Sequence, residues 1–213
     1  MNYEQLLKSF YDYFVFEVND LKNLGLISEE ALVKYQEYNI HSILQYCAIK
    51  AGLLANLIPI PEYKIRLIKP IDKYEVDKRY KEQAKNQKKI GARYQHKVTV
   101  DIALIKDNRV RGFCEIYTPD EIHGVLLSRE LSEPWITPRH KLQHLVKCMS
   151  FDFCILINLF TTLPSWRDAK KYSLDEWRKL WKSFAIDLSR DVSVMHIMIN
   201  SINDINYMYY KRH

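Results

Sequence analysis

The hydrophobic positions in the first quarter of the chain have helical spacing. Apolar residues over 2–22 recur every three or four positions, which predicts an amphipathic helix within 1–25 that Asn23-Leu24-Gly25 ends. Ser28 is followed by two glutamates, which is the pattern of a helix N-cap with acids in the first turn. We therefore predict a second helix from Ser28 to about Ala51.

The middle of the chain changes to β-branched and alternating runs, which are typical of strands. Two such runs flank the turn Lys106-Asp107-Asn108-Arg109 and predict a hairpin. A later run is almost wholly apolar, as expected for a strand buried on both faces. In chain order we predict a strand over Leu57–Ile68, a hairpin over Val98–Tyr117, a long connection to Pro138, a helix over Arg139–Met149 and a strand over Phe151–Phe160.

The last forty residues divide into two parts. Ser173 and Glu176 have capping-box spacing, and the apolar positions that follow predict an amphipathic helix. From Val192 onwards the pattern fits a strand or a helix, and the spacing of its apolar residues favours a helix. We expect a single α/β domain over 1–213 with a mixed central sheet, an N-terminal helix (1–25), a core at about 28–160 and a C-terminal helical region at about 173–213.

Composition supports a globular protein and excludes a membrane span. Hydrophobic residues make up 47% of the 213 positions, enough for a substantial core, and no run of 18 apolar residues occurs. The first residues lack a secretory pattern, so a cytoplasmic location is expected. Four cysteines occur without a CxxC pair, which favours buried small hydrophobes over metal ligands.

The positive charge is concentrated in one segment. The net charge is +6, yet residues 64–97 hold 12 Lys or Arg against four Asp or Glu. A polyanion such as DNA binds such a segment through phosphate contacts and counterion release, although a solvated loop would have the same composition. The predicted phosphate contacts are the cations of the acid-free stretch: Lys85, Lys88, Lys89, Arg93 and Lys97.

Two acids lie inside the strands of the predicted hairpin, Asp101 in the first and Glu115 in the second. A carboxylate in a buried sheet is costly unless it is paired or binds a metal. Neighbouring strands are about 5 Å apart, so both acids could contact one hard cation such as Mg²⁺. The alternative is that both acids lie on a solvent face of an amphipathic hairpin.

This arrangement resembles the PD-(D/E)XK nuclease superfamily. The resemblance covers roughly Ser28 to Phe160 and rests on a hydrophobic-Asp-hydrophobic-Ala strand, a hairpin, a hydrophobic-Glu strand, a helix and an apolar strand. It implies a restriction-endonuclease-like αβββαβ core. It also implies that Asp101 and Glu115 bind Mg²⁺ or Mn²⁺, which activates the water that hydrolyses a DNA phosphodiester.

In this superfamily a glutamate of the first core helix often joins the metal ligands. We favour Glu37 for that role, because it would share one helical face with the apolar residues Val33, Ile40 and Leu44. Glu30 is the alternative, although helix capping explains it better.

The sequence departs from the superfamily pattern at Tyr117, which stands where the motif has a lysine. A tyrosine can hydrogen-bond a water but carries no positive charge. The resemblance then suggests a cation from the following helix, and we favour Lys141 for that role, although a surface position on a basic helix is the commoner explanation for such a residue. A second possibility is that the fold has lost catalysis and only binds DNA.

The small size most resembles archaeal Holliday-junction resolvases, which implies a homodimeric endonuclease that cuts branched or otherwise structured DNA in recombination, replication or repair. The composition would suit a virus or plasmid of a thermophilic archaeon. The apolar stripe that contains Trp177 and Trp181 could form the dimer surface or an ordinary core. A catalytically inactive DNA-binding module and a protein–protein scaffold remain the alternatives.

Overall fold

The computed structural model describes residues 3–72, 94–119, 142–143, 145–147, 149–162 and 173–212. Short helical stretches occur at residues 142–143 and 145–147. The longer helices are α1 (Tyr3–Asn23), α2 (Glu29–Val33), α3 (Ile40–Leu54) and α4 (Leu174–Leu188). The strands are β1 (Ile58–Asp72), β2 (Tyr94–Lys106), β3 (Arg109–Tyr117), β4 (Phe153–Leu159), β5 (Ser193–Ser201) and β6 (Asp204–Tyr210).

The strands form one six-stranded mixed sheet in the order β1-β2-β3-β4-β5-β6. The first three strands are antiparallel, β4 runs parallel to both β3 and β5, and β6 returns antiparallel to β5. The predicted α/β class with one mixed central sheet is therefore confirmed. The predicted hairpin corresponds to β2 and β3.

Helices cover both faces of the sheet and create two separate cores. On one face, α1, α2 and α3 pack against alternate residues of β2 to β5, and we name this the α3 face. On the other, α4 and the helical residues near 145 pack against the remaining positions, and we name this the α4 face. All seven residues of β4 are buried, which explains its continuous apolar sequence.

Two tyrosines of α1 fix this helix to strands that follow much later in the chain. The Tyr3 hydroxyl donates to Asp152 Oδ2 at 2.8 Å, and the Tyr11 hydroxyl donates to the carbonyl of Ile205 at 2.7 Å. These bonds lie near the starts of β4 and β6, so α1 crosses the α3 face of the sheet.

The helix predicted from Ser28 to about Ala51 is wrong as a single element. Ser28 caps α2 as expected, accepting from the Ala31 N–H, but α2 stops at Val33. A series of turns follows, and Asn39 with a left-handed φ of 50° precedes α3. Asparagine tolerates this conformation better than most residues, which explains the break.

The predicted C-terminal helical region is correct only for α4. Ser173 and Glu176 form the expected capping box. The chain then forms the hairpin β5–β6, so the helix favoured from Val192 onwards is wrong. The reason is burial on both faces: the first seven residues of β5 are all buried, and a central strand has no need for amphipathic alternation.

The apolar stripe of α4 is part of the core of its own chain. Trp177 and Trp181 are buried on the α4 face, so the interpretation of this stripe as an ordinary core is confirmed. Among the described helices, none has the length and hydropathy needed to cross a membrane.

Three cysteines, Cys47, Cys114 and Cys154, are buried with free thiols, as predicted. Burial raises the pKa of Cys47 to about 12 and raises the pKa values of the other two thiols well above their usual range. These thiols are therefore protonated, which is the form expected of small hydrophobic residues in a core.

Candidate functional site

The strands β2 and β3 separate in the middle of the sheet. Their pairing ends at Ile102 and Cys114, and the next positions along the two strands are Asp101 and Glu115. We name this point the fork. Beyond it, β2 continues to pair with β1 as far as Tyr94 opposite Asp72, so a two-stranded ribbon extends past the end of β3.

Asp101 borders the fork and connects it to α3. Its Oδ2 accepts a hydrogen bond from the backbone N–H of Ile116 at 2.7 Å, across the gap where the ladder has ended. The same oxygen lies 3.5 Å from His41 Nε2, at the start of α3. The carboxylate is thus oriented by β3 and reached by α3, while part of its surface remains exposed.

The β1 side of Asp101 is also irregular. Pro61 pairs with Ile102 and Tyr63 pairs with Val100 in the same register, but the two residues between these pairs, Glu62 and Asp101, do not form a ladder pair. Glu62 has a left-handed φ of 49°. Gln45 Nε2 donates to Glu62 Oε1 at 3.1 Å and to the Asp101 carbonyl at 3.0 Å. One amide of α3 therefore contacts both strands at the irregular position.

Glu115 is buried, with 2% of its surface exposed. The Tyr117 hydroxyl lies 3.4 Å from Glu115 Oε2 and donates to it. The ring of Tyr117 packs against that of Trp181, with centroids 5.0 Å apart. The position of the motif lysine is therefore occupied by a buried aromatic residue within the α4 core.

The contacts of the two acids lie on opposite faces of the sheet. Phe113 and Tyr117, two positions either side of Glu115, belong to the α4 face. Asp101 instead meets side chains of α3. The usual alternation breaks at Asp101, because Val100 packs on the α4 face and Ile102 packs on the α3 face. The fork thus places one acid toward each face.

The fork offers two carboxylates to a hard divalent cation but no third protein ligand among the described residues. Asp101 and Glu115 supply carboxylate oxygens, the ligands that Mg²⁺ and Mn²⁺ prefer. In the described part of the chain, no three His, Cys, Asp or Glu side chains are grouped so that they could hold a metal. Mg²⁺ is often held by one or two carboxylates together with waters and substrate phosphates. Asp101 fits this mode as it stands, whereas Glu115 faces the α4 core and would have to turn toward the gap to join it.

The structure does not support the reasoning that selected Glu37. This residue is exposed in the turns between α2 and α3 rather than on an apolar helical face, because the helix ends at Val33. Glu30 pairs with Lys34 at 2.8 Å, which lowers the pKa of Glu30 through that hydrogen bond. Both acids therefore have ordinary surface roles in this structure.

The remaining predicted residues are mostly outside the described residues. Lys97 lies on β2 opposite Arg66 of β1, within the ribbon. The residues that fall outside the description are Lys85, Lys88, Lys89, Arg93 and Lys141.

Sequence reasoning missed His41, Gln45 and Glu62. His41 and Gln45 are four residues apart, a spacing that places both on one side of a helix. That signal was available, but their contact with Asp101 spans about sixty positions of sequence and required the sheet register. The left-handed backbone of Glu62 could not be predicted from the sequence, because glutamate is not a residue type that favours this conformation.

A second polar group is buried on the α4 face, close to Tyr117. His196 and Asn158 are fully buried, and within the described structure the two ring nitrogens and both amide atoms make no hydrogen bond. The His196 ring lies between Trp181 and Phe160, with centroids 6.2 and 6.4 Å away. Burial lowers the pKa of His196 to about 3, so the ring is neutral at physiological pH.

Comparisons with known proteins do not add a family to this geometry. No protein-family model matches the chain, and neither the curated proteins nor the solved structures contain a significant match.

Proposed function

We propose that this chain is a metal-dependent DNA endonuclease with a restriction-endonuclease-like core. The observation that carries the proposal is the fork, where Asp101 and Glu115 occupy facing positions on two separating strands. The order of elements also supports it. A helix, three antiparallel strands, a helical stretch and a strand parallel to the third follow one another, as expected of an αβββαβ core.

The proposed chemistry needs little movement of Asp101. Its carboxylate is oriented by the Ile116 N–H and remains partly exposed, so it can contact an incoming cation. Glu115 would join the same cation from β3 once its carboxylate turns from Tyr117 on the α4 face toward the gap between the two strands. Bound Mg²⁺ or Mn²⁺ would activate a water and stabilise the charge that develops on the phosphate. The chain's own contribution is to fix two oxygen ligands at the fork.

DNA as the substrate is supported by the ribbon. The most basic segment, 64–97, begins in β1 and ends in β2. Both of its ends therefore lie in the two-stranded ribbon that extends past the fork. Lys64 is exposed on this ribbon. Ile65 packs on the α4 face, so Lys64 beside it lies on the α3 face, the face on which Asp101 meets α3. Phosphates that contact Lys64 would therefore lie on the same face as Asp101. Branched or otherwise structured DNA and a homodimer are parts of the proposal that follow from the resemblance, and an origin in an archaeal virus or plasmid follows from composition.

A second candidate function is a DNA-binding module without catalysis. The observation that favours it is the burial of Tyr117 against Trp181, which leaves no cation at the position of the motif lysine. Such a module would bind DNA in a salt-sensitive manner and would not require a divalent metal.

The experiment is to incubate the protein with a labelled four-way junction, a matched duplex and a single strand, with Mg²⁺, Mn²⁺ or chelator. We expect divalent-dependent cutting that Asp101→Asn abolishes while DNA affinity is retained. Asp12→Asn is the matched control, because Asp12 is an exposed acid of α1 that pairs with Lys8.

Three other outcomes would contradict this expectation, each in a different way. Cutting by Asp101→Asn at the wild-type rate would show that the metal-site assignment is wrong. Binding without cutting in either metal would favour the inactive module. Absence of binding at physiological salt would contradict both and favour a protein–protein scaffold.

A further inference from the structure

Asp101 depends on α3 for its backbone position. The β1–β2 ladder keeps its register between the Pro61 and Tyr63 pairs, but Glu62 and Asp101 between them do not pair, so Asp101 lacks the pairing to β1 that its neighbours have. Glu62, opposite Asp101, has a left-handed φ of 49°, a conformation that is unfavourable for a non-glycine residue. A contact from outside the ladder would therefore help to hold this part of the two strands in place.

Gln45 supplies the missing contacts. Its side-chain N–H group donates to the Asp101 carbonyl at 3.0 Å and to Glu62 Oε1 at 3.1 Å. The amide has two N–H bonds, so it can satisfy both acceptors at once. Because α3 is packed firmly through the buried residues Leu44 and Ala48, the amide is attached to a rigid element.

The position of the Asp101 backbone determines where its carboxylate points. The same residue is held at a second point, since Oδ2 accepts from the Ile116 N–H at 2.7 Å. Gln45 therefore fixes the backbone and Ile116 fixes the side chain. We propose that Gln45 is a positioning residue that sets Asp101 at the fork for phosphodiester hydrolysis, an inference that rests on the proposed nuclease function.

The test compares three variants of the full chain. Gln45→Leu keeps the approximate shape and removes both hydrogen bonds. Glu62→Ala removes only the bond to Glu62 and leaves the bond to the Asp101 carbonyl. Ser42→Ala is the control, because it removes a side-chain bond to Asn39 at the start of the same helix without contact to Asp101.

Two measurements are made on each variant. Steady-state cleavage of the labelled junction with Mn²⁺ separates kcat from KM, and we expect Gln45→Leu to lower kcat by about tenfold with KM unchanged. Amide hydrogen exchange reports the Ile116 N–H directly, and we expect it to exchange faster in Gln45→Leu while the Cys114 amide in the paired part of β3 does not change. Ser42→Ala should match the wild type in kcat and in the Ile116 exchange rate. Glu62→Ala should give values of both between those of the wild type and Gln45→Leu.

The outcomes separate this inference from the proposed function. If Asp101→Asn abolishes cutting but Gln45→Leu cuts at the wild-type kcat, the positioning role is overturned and the nuclease function stands. An unchanged Ile116 exchange rate in Gln45→Leu overturns the positioning role whatever the activity. If the wild type cuts no DNA with either metal, the nuclease function fails and the positioning role fails with it.

Discussion

The carboxylate of Asp101 accepts a hydrogen bond from the backbone N–H of Ile116 at 2.7 Å, immediately after the last paired residues of β2 and β3. A side chain thus replaces the backbone acceptor that the departing strand would have supplied. This bond satisfies a main-chain donor of a buried residue, so Asp101 has a structural role in addition to its proposed catalytic one.

That double role predicts a stability cost at Asp101. Asp101→Ala leaves the Ile116 N–H without its acceptor, and we expect the free energy of unfolding to fall by about 1–3 kcal/mol. Asp101→Asn retains a side-chain oxygen and should cost less. Urea denaturation measures both, and equal stability of Asp101→Ala and the wild type would contradict the structural role.

Gly112 is predicted to be intolerant of any side chain. A Cβ at this position would lie 2.5 Å from the carbonyl oxygen of Phe153 on the neighbouring strand, and backbone in the centre of a sheet cannot move away. We expect Gly112→Ala to destabilise the protein by about 1–3 kcal/mol or more. Gly25→Ala is the comparison, because Gly25 has free space around it and only a left-handed φ of 71°. A smaller loss for Gly112→Ala than for Gly25→Ala in thermal unfolding would refute the close contact.

His196 predicts a loss of stability in acid. Burial lowers its pKa to about 3 in the folded protein, whereas an exposed histidine of the unfolded chain has a pKa of 6.5. Between these pH values the unfolded chain therefore binds more protons than the folded protein. The free energy of unfolding therefore falls as the pH decreases from about 6.5 toward 3, by up to about 1.4 kcal/mol per pH unit from this group. His196→Phe removes this contribution and should show a shallower decline in urea midpoints. Parallel pH profiles for the two proteins would show that His196 is hydrated or paired in solution.

Asn158 offers a related test of the buried polar group. Its amide is fully buried with no hydrogen bond to the described residues, a situation that costs stability. Asn158→Leu keeps the branched outline of the side chain, is somewhat larger and has no polar atoms, and we expect the protein to be stabilised by about 1 kcal/mol. A decrease in stability in urea denaturation would mean that the amide has a partner such as a bound water.

The sequence was most informative where structure is determined locally. The capping box at Ser173 and Glu176, the hairpin of β2 and β3 and the first helix all depend on neighbouring residues, and all were predicted. The two acids were recognised because a carboxylate inside an apolar strand is unusual, and both do lie at the fork.

The parts that were missed depend on distant residues. The helix ends at Val33 and resumes only after Asn39, which leaves Glu37 on an exposed turn, and Asn39 was the one residue type in this stretch that could have indicated the break. β5 became a central strand because β4 and β6 lie on either side of it, and its apolar spacing fits a helix equally well. The contacts of Asp101 with His41 and Gln45 needed the sheet register before they could be identified.

The hydrogen bonds that tie α1 to the sheet affect how the chain can fold during synthesis. Tyr3 bonds to a residue 149 positions later, and Tyr11 bonds to one 194 positions later. When α1 leaves the ribosome, it can pack against α3 early, but the strands to which its tyrosines bond have not yet been translated. The apolar side that α1 and α3 turn to the sheet is completed only when the last strands appear, so folding is expected to be slow and to benefit from chaperones.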